Sequence, residues 1–125
     1  LTEQEILQGA RFPDVIVHKA EFIVDIHNPS GPGQADASIQ YAKPYDLPYR
    51  CFVPLKAENL LVTGRTISGT HRAHASYRVM SICMAMGQSV GIAAALCAKT
   101  GNTPRTLDVK AVQDALTRNS VDLFS

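Results

Sequence analysis

The hydrophobic pattern is dominated by one long segment, residues 79–98, that contains no charged side chain. The Lys-Thr-Gly sequence that follows it predicts a cationic last turn and a glycine stop, and hence a helix over residues 81–100. A short apolar run at residues 60–63 predicts a strand that ends at Gly64, with a polar loop over residues 66–77 before the helix. Because the helix carries no charge, we expect it to be buried nearly all round.

The remaining pattern predicts two further helices and several short strands. Thr2 and Glu5 form a capping-box pattern at the start of a helix over residues 2–10, and Asp108 is positioned to cap a helix over residues 109–117. Short strands are predicted, on either side of a turn-rich loop over residues 28–40, at residues 20–27, 38–42 and 49–53. We therefore expect an α+β fold of short strands with a long buried helix and a C-terminal helix.

The uncharged segment is also long enough to span a bilayer. Gly87, Gly91 and Ala95 form a small-residue stripe on it. Such a stripe is a helix-dimer face in a membrane, whereas in a soluble protein it lets a helix press close to a sheet or a ligand. Ser81 and Gln88 weaken membrane insertion. Because the rest of the chain has globular patterning, we favour the soluble interpretation and expect no membrane partner.

Composition narrows the classes of protein further. The 125-residue chain is 46% hydrophobic with a formal net charge of +1, which argues against a nucleic-acid partner because such surfaces carry a clustered basic excess. Its three cysteines are an odd number without a CxxC pair, and the N-terminal TEQEILQGARF lacks the features of a signal peptide. We therefore expect a cytoplasmic protein with one modest core.

Three segments carry a resemblance to a known family. The order NLLVTGR, THRAHASYRVM and CMAMGQSVGIAAALCAKTG, with PYRCFVP and IHNPSGPG upstream, resembles the C-terminal segment of bacterial FAD-dependent oxidoreductases with a two-dinucleotide-binding-domain-type fold. In that family a GxGxxG fingerprint near the N-terminus of a much longer protein grips the ADP half of FAD. No such fingerprint follows a predicted strand in this chain.

The resemblance therefore implies a fragment of a larger FAD-binding α/β fold. Residues 1–57 would be a substrate-side linking segment, and residues 58–125 would be the C-terminal part of the FAD-binding domain. The implied cofactor is FAD, and the implied partners are the missing N-terminal FAD-binding half and a small-molecule substrate. Without the pyrophosphate-binding turn, we expect the isolated chain to bind FAD weakly or not at all.

The resemblance also implies cofactor contacts near the end of the predicted strand. Gly64 would lie close to the ribityl chain of the flavin, where a side chain is not tolerated. Arg65 occupies a position at which related flavoproteins commonly carry an acidic residue that holds a ribityl hydroxyl. Because Arg only donates hydrogen bonds, its role is either a contact to a ribityl oxygen or the pyrophosphate, or a structural salt bridge.

A second set of implied contacts opens the long helix. Arg78, Val79 and Met80 match the family position at which backbone amides face the flavin N1 and C2 carbonyl. A reduced flavin carries negative charge there, so free N–H groups and the positive end of a helix dipole stabilise it. Ser81 stands where the family usually has Pro, and its hydroxyl is able to cap the helix instead.

Several other polar residues are candidates for the substrate side. In the loop over residues 66–77 they would orient an anionic or hydroxylated substrate, relay a proton, or simply bond to the backbone. The candidates are His71, Arg72, His74 and Tyr77 in that loop, and His27 and Arg50 beside predicted strand ends. His71 and His74 also form an HxxH pair, but no third ligand is near in the loop, so we expect no metal site.

Two hypotheses of function follow. In the first, the chain is the C-terminal part of a FAD-dependent oxidoreductase and supplies flavin-side contacts for hydride transfer from an unknown substrate, the isolated chain being inactive. In the second, it is a noncatalytic α+β interaction module that assembles through the small-residue helix. Under either hypothesis we expect a homo-oligomer, because the stripe of Gly87, Gly91 and Ala95 would lie exposed in the isolated chain.

Overall fold

The structure is a computed structural model that describes residues 1–33 and 40–125. It confirms the α+β class, with four helices and one small antiparallel sheet in the part of the chain described. In chain order the elements are α1 (Glu3–Gln8), β1 (Val15–Ala20), β2 (Tyr45–Pro48), α2 (His71–Tyr77), α3 (Met80–Thr100) and α4 (Val109–Arg118), with 3₁₀ turns at Tyr49–Phe52 and Gly64–Thr66.

The capping residues predicted from the sequence lie at the helix ends as expected. At α1, the Glu5 N–H donates to the Thr2 hydroxyl over 3.4 Å and the Thr2 N–H donates to the Glu5 carboxylate over 2.7 Å, which completes the capping box. The Asp108 carboxylate accepts the Lys110 N–H at the start of α4. Gly101 ends α3 at a φ of 75°, a left-handed conformation that favours glycine.

The sheet is short and irregular, and the helices hold it. β1 pairs with β2 in antiparallel fashion with two shifts of register. The Ser89 hydroxyl on α3 donates to the Ile16 carbonyl over 2.6 Å, and the Gln113 amide on α4 donates to the Pro13 and Val15 carbonyls. Both side chains are buried. The two long helices therefore fix β1 through side-chain hydrogen bonds as well as through apolar packing.

The predicted strands are wrong in position. Ala20 is the last residue of β1, residues 21–27 are mostly not buried and have isolated bridge positions at Val24, which pairs with Gln40, and at His27, and Tyr49–Phe52 forms a 3₁₀ turn. Residues 60–63 form no regular element. Of the strand predicted at residues 38–42, the first two residues lie outside the described residues. The other three contribute only the bridge from Gln40 to Val24. β2 contains Asp46 and Pro48, and β1 contains the His18-Lys19 pair, so neither strand is apparent from a hydrophobicity pattern.

α3 is buried on one side only, which corrects the expectation of burial nearly all round. Its inner face packs against β1 and α4, and the buried residues are Ile82, Met86, Ser89, Val90 and Ala93. On the outer face Met80 and Met84 are 76% and 75% exposed, and the stripe of Gly87, Gly91 and Ala95 is exposed beside them. The outer face carries no charge because it consists of small residues and methionine, which the hydrophobic pattern does not distinguish from a core.

By length and hydropathy, α3 is also long enough and apolar enough to cross a membrane. Within the fold, 33% of its apolar 18-residue window is buried.

Candidate functional site

A cavity of about 400 Å³ opens at the start of α3, and we call it the helix-start cavity. Arg65 from the 3₁₀ turn and residues 78–80 line it together, although the whole predicted loop over residues 66–77 separates them in sequence. Residues from the segment before residue 28 also line it. The complete lining is Phe22, Asp25, His27, Arg65, Arg78, Val79 and Met80.

A sharp junction between two helices shapes one wall of this cavity. α2, which the polar pattern did not predict, ends at Tyr77 with Arg78 as its capping residue, and Val79 then leads into α3 in an extended conformation (φ −73°, ψ 152°). Within residues 1–33 and 40–125 no side chain caps α3, and its first internal bond runs from the Cys83 N–H to the Val79 carbonyl. The N–H groups of the first turn, from Met80 onward, are therefore available as donors at the positive end of a 21-residue helix.

Arg65 and Arg78 are joined to each other at this junction. The Arg65 Nε donates to the Arg78 carbonyl over 3.2 Å. Among residues 1–33 and 40–125 Arg65 forms no ion pair, so the structural salt bridge considered for it is absent there. The Arg78 guanidinium donates to the Asp25 carbonyl over 2.9 Å and lies 3.6 Å from the Asp25 carboxylate. Positive charge is thus concentrated beside the start of α3.

Two of the predicted contact residues do not line the helix-start cavity. Gly64 precedes Arg65 with a φ of 64°, and a Cβ built there would meet only the Cys83 Sγ, at 3.9 Å. Ser81 is exposed and lines a separate cavity beside β1. The structure therefore brings together Arg65, Arg78, Val79 and Met80 but leaves the other two at the margin.

A second, smaller cavity adjoins the first, and we call it the histidine pocket. It has a volume of about 150 Å³ and is lined by Asp25, Ile26, His27, His71, His74, Ala75 and Arg78. Three of these residues, Asp25, His27 and Arg78, line both cavities. The sequence analysis named the three histidines separately, but it missed Asp25 and did not predict that His27 lies near the HxxH pair. The reason is that 43 to 46 residues separate His27 from that pair.

The other substrate-side candidates serve the fold. Tyr77 is 1% exposed and donates to the Ile67 carbonyl over 3.3 Å, and burial raises its pKa to about 12. A phenol that stays neutral and lies outside both cavities does not suit a proton relay. Arg72 pairs with Glu3 of α1, and Arg50 pairs with Asp14 and lies over the ring of Phe12.

The arrangement does not form a metal centre in the part of the chain described. No group of three or more His, Cys, Asp or Glu side chains is placed there to hold a metal ion. The HxxH pair instead faces the small pocket that it shares with Arg78.

Comparison with known proteins gives one match. A family model described as FAD dependent oxidoreductase covers residues 1–116 of the chain. No curated protein and no solved structure matches it.

Proposed function

The chain belongs to the FAD-dependent oxidoreductase family, whose cofactor is FAD, and from that premise we propose that it supplies contacts to the flavin ring during hydride transfer from a small-molecule substrate. One observation carries this proposal. The uncapped first turn of α3 opens onto the helix-start cavity, where residues 78–80 and Arg65 lie together. Residues 1–57 would then form the substrate side, and residues 58–125 would complete the FAD-binding domain.

The residues around the helix-start cavity fit one edge of a flavin ring. The first-turn N–H groups of α3 offer hydrogen-bond donors, and the side chains of Phe22, Val79 and Met80 offer apolar surface. A volume of about 400 Å³ lies within the range of about 300–1,000 Å³ typical of small-molecule sites. Polar donors that converge at one side of an apolar cleft are the usual arrangement for holding such a ring.

The electrostatics of the cavity suit a group that gains negative charge. Bound FAD supplies hydride acceptance, which leaves negative charge on the ring. The α3 dipole and its free N–H groups stabilise charge at that position, because they are oriented before the reaction begins. Arg65 adds positive charge beside them, whereas the Asp25 carboxylate offsets the charge of Arg78. Both effects favour the reduced cofactor and raise its potential.

Replacing Met80 with Pro in the longer parent protein, which includes the N-terminal FAD-binding half, tests this proposal. Met80 is the first residue of α3, a position that accepts Pro, and Val79 already has the extended backbone that a residue before Pro prefers. The change therefore deletes one N–H while the helix start survives. We expect lower flavin content or a reduction potential lower by on the order of 30 mV, the equivalent of one lost charged hydrogen bond.

A matched control is available at the other long helix. Val109 is the first residue of α4, and Asp108 before it is also extended (φ −69°, ψ 114°). Val109→Pro should leave the flavin content and the potential unchanged. If Met80→Pro also changes neither, or if both variants change them equally, the α3 amides do not contact the flavin.

A second candidate function rests on the outer face of α3. The exposed methionines and the small-residue stripe form an apolar surface that a noncatalytic module would use for assembly. The occupant would be either a second copy of the chain or an N-terminal FAD-binding half. This function and the first are compatible, because the outer face extends away from the helix-start cavity.

A further inference from the structure

The histidine pocket contains polar side chains, His71 and His74, that the proposed flavin contacts do not use. Its volume of about 150 Å³ is below the roughly 300 Å³ at which sites for whole ligands begin. It is therefore suited to one functional group of a ligand, and its polar walls indicate that this group is polar.

The walls are rich in hydrogen-bond donors. Within residues 1–33 and 40–125, the rings of His71 and His74 make no hydrogen bond, and Arg78 uses only its Nη2 side toward Asp25. Each neutral imidazole carries one N–H, and Arg78 has further N–H groups. The ring of His74 is held edge-on to Tyr77 at a centroid distance of 5.3 Å. The pocket therefore presents oriented donors that call for an acceptor.

The charges in the pocket match an anion with a single negative charge. The groups that face it are Asp25 and His27 from the segment before residue 28, and His71, His74 and Arg78 at α2. The Asp25 carboxylate lies 3.0 Å from the His27 Nε2 and 3.6 Å from the Arg78 guanidinium, and it offsets the charge of Arg78. A ligand that accepts hydrogen bonds in this pocket lies beside that carboxylate, which repels a dianion more strongly than an anion of single charge.

We propose that the histidine pocket binds the carboxylate of a small organic acid, and that this acid is the substrate whose remaining atoms extend into the helix-start cavity. The shared wall of Asp25, His27 and Arg78 makes the two cavities neighbours. The assignment of the acid as substrate rests on the proposed function. Carboxylate binding does not, so it is testable without FAD.

The test is a titration of the full chain with acetate, followed by NMR through the imidazole C–H signals. Acetate should shift the signals of His71 and His74 but not that of His18, which pairs with Asp46 outside the pocket. Sulfate at the same ionic strength should bind more weakly than acetate.

Single variants locate the site. His71→Ala and His74→Ala should each weaken acetate binding roughly tenfold, because each removes a hydrogen-bond donor to a charged acceptor. Lys56→Gln, which removes one positive charge from an exposed loop position, should leave the affinity unchanged. Circular dichroism confirms that each variant is folded, and His71 is exposed, so its replacement leaves the core intact.

Four results would overturn the proposal: no shift with acetate, equal shifts at His18, equal weakening in Lys56→Gln, or tighter binding of sulfate than of acetate. The last would show a site for doubly charged oxyanions. If acetate binds as expected while Met80→Pro leaves the flavin unaffected, the carboxylate site is supported and the proposed function is wrong. If Met80→Pro affects the flavin but acetate does not bind, the flavin contacts are supported and the carboxylate site is wrong.

Discussion

Gly64 is the residue at which backbone conformation and the candidate site meet. Its φ of 64° is strained for any residue with a side chain, yet a Cβ there would touch only the Cys83 Sγ at 3.9 Å. Gly64→Val should therefore cost roughly 1–3 kcal/mol through backbone strain without a clash inside the chain. Because Gly64 directly precedes Arg65, we also expect the same substitution in the longer parent protein to cause loss of flavin before global unfolding.

Gly101 supplies the control for this prediction. It has a φ of 75°, and nothing lies within 4 Å of a Cβ built on it, so Gly101→Val introduces the same kind of strain at the far end of α3. It should lower stability by a similar amount without selective loss of flavin. Flavin absorbance and ellipticity followed during one thermal scan separate the two events. Flavin loss that tracks unfolding in both variants would make Gly64 an ordinary turn glycine.

At the residue scale the sequence located part of the candidate site. The resemblance placed Arg65 near the ribityl chain or the pyrophosphate and residues 78–80 near the flavin N1 and C2 carbonyl, and in the structure these residues line a common cavity. Asp25 was missed because it lies in a segment that the pattern assigned to a strand. The approach of His27 to the HxxH pair depends on long-range packing, which neither spacing nor residue type reveals.

Among the elements, β1 depends most on its neighbours. The Ser89 hydroxyl donates to the Ile16 carbonyl over 2.6 Å and to the Ala85 carbonyl of its own helix over 3.0 Å, in a buried setting. Ser89→Ala should lower the free energy of unfolding by about 1–3 kcal/mol, because it removes the partner of a buried carbonyl. Chemical denaturation followed by circular dichroism measures this loss.

Thr100 on the same helix provides the comparison. Its hydroxyl donates to the Leu96 carbonyl four residues earlier, as Ser89 does to Ala85, but it is exposed and reaches no strand. Thr100→Ala should change stability by less than about 0.5 kcal/mol. Equal effects of the two substitutions would mean that the hydrogen bond to β1 contributes nothing beyond the local helix bond.

Element prediction succeeded where local chemistry determines the structure. Thr2 with Glu5, Asp108 and Gly101 mark helix ends through their own hydrogen bonds or backbone conformation. The strand predictions were wrong because the two short strands, with their shifted register, are stabilised mainly by the helices packed against them. α2 was not predicted because Thr70 caps a helix of only seven residues whose sequence, HRAHASY, is polar enough to resemble a loop.

For the whole molecule, the exposed outer face of α3 predicts assembly. Met80 and Met84 are largely exposed beside the stripe of Gly87, Gly91 and Ala95, and close helix packing is favoured by small residues. Light scattering at high micromolar concentration should show a dimer or larger oligomer. Met84→Glu should shift the population toward monomer, because assembly would then bury a charge.

Leu55→Glu tests whether any exposed apolar residue would behave in this way. Leu55 is 88% exposed and lies outside α3, so this variant should assemble like the unmodified chain. A clean monomer for the unmodified chain would show that the outer face of α3 does not drive self-association. Similar dissociation in both variants would point to net charge as the cause.

Asp25, His27 and Arg78 line both cavities, so a ligand bound in one would contact side chains that also face the other. Any group that draws Arg78 toward the histidine pocket changes the charge and the donors that remain at the start of α3. By thermodynamic linkage, the factor by which an acid in one cavity alters affinity for a cofactor in the other equals the factor in the opposite direction. Under the proposed function, a change in the state of the cofactor would then change the affinity of the chain for the acid.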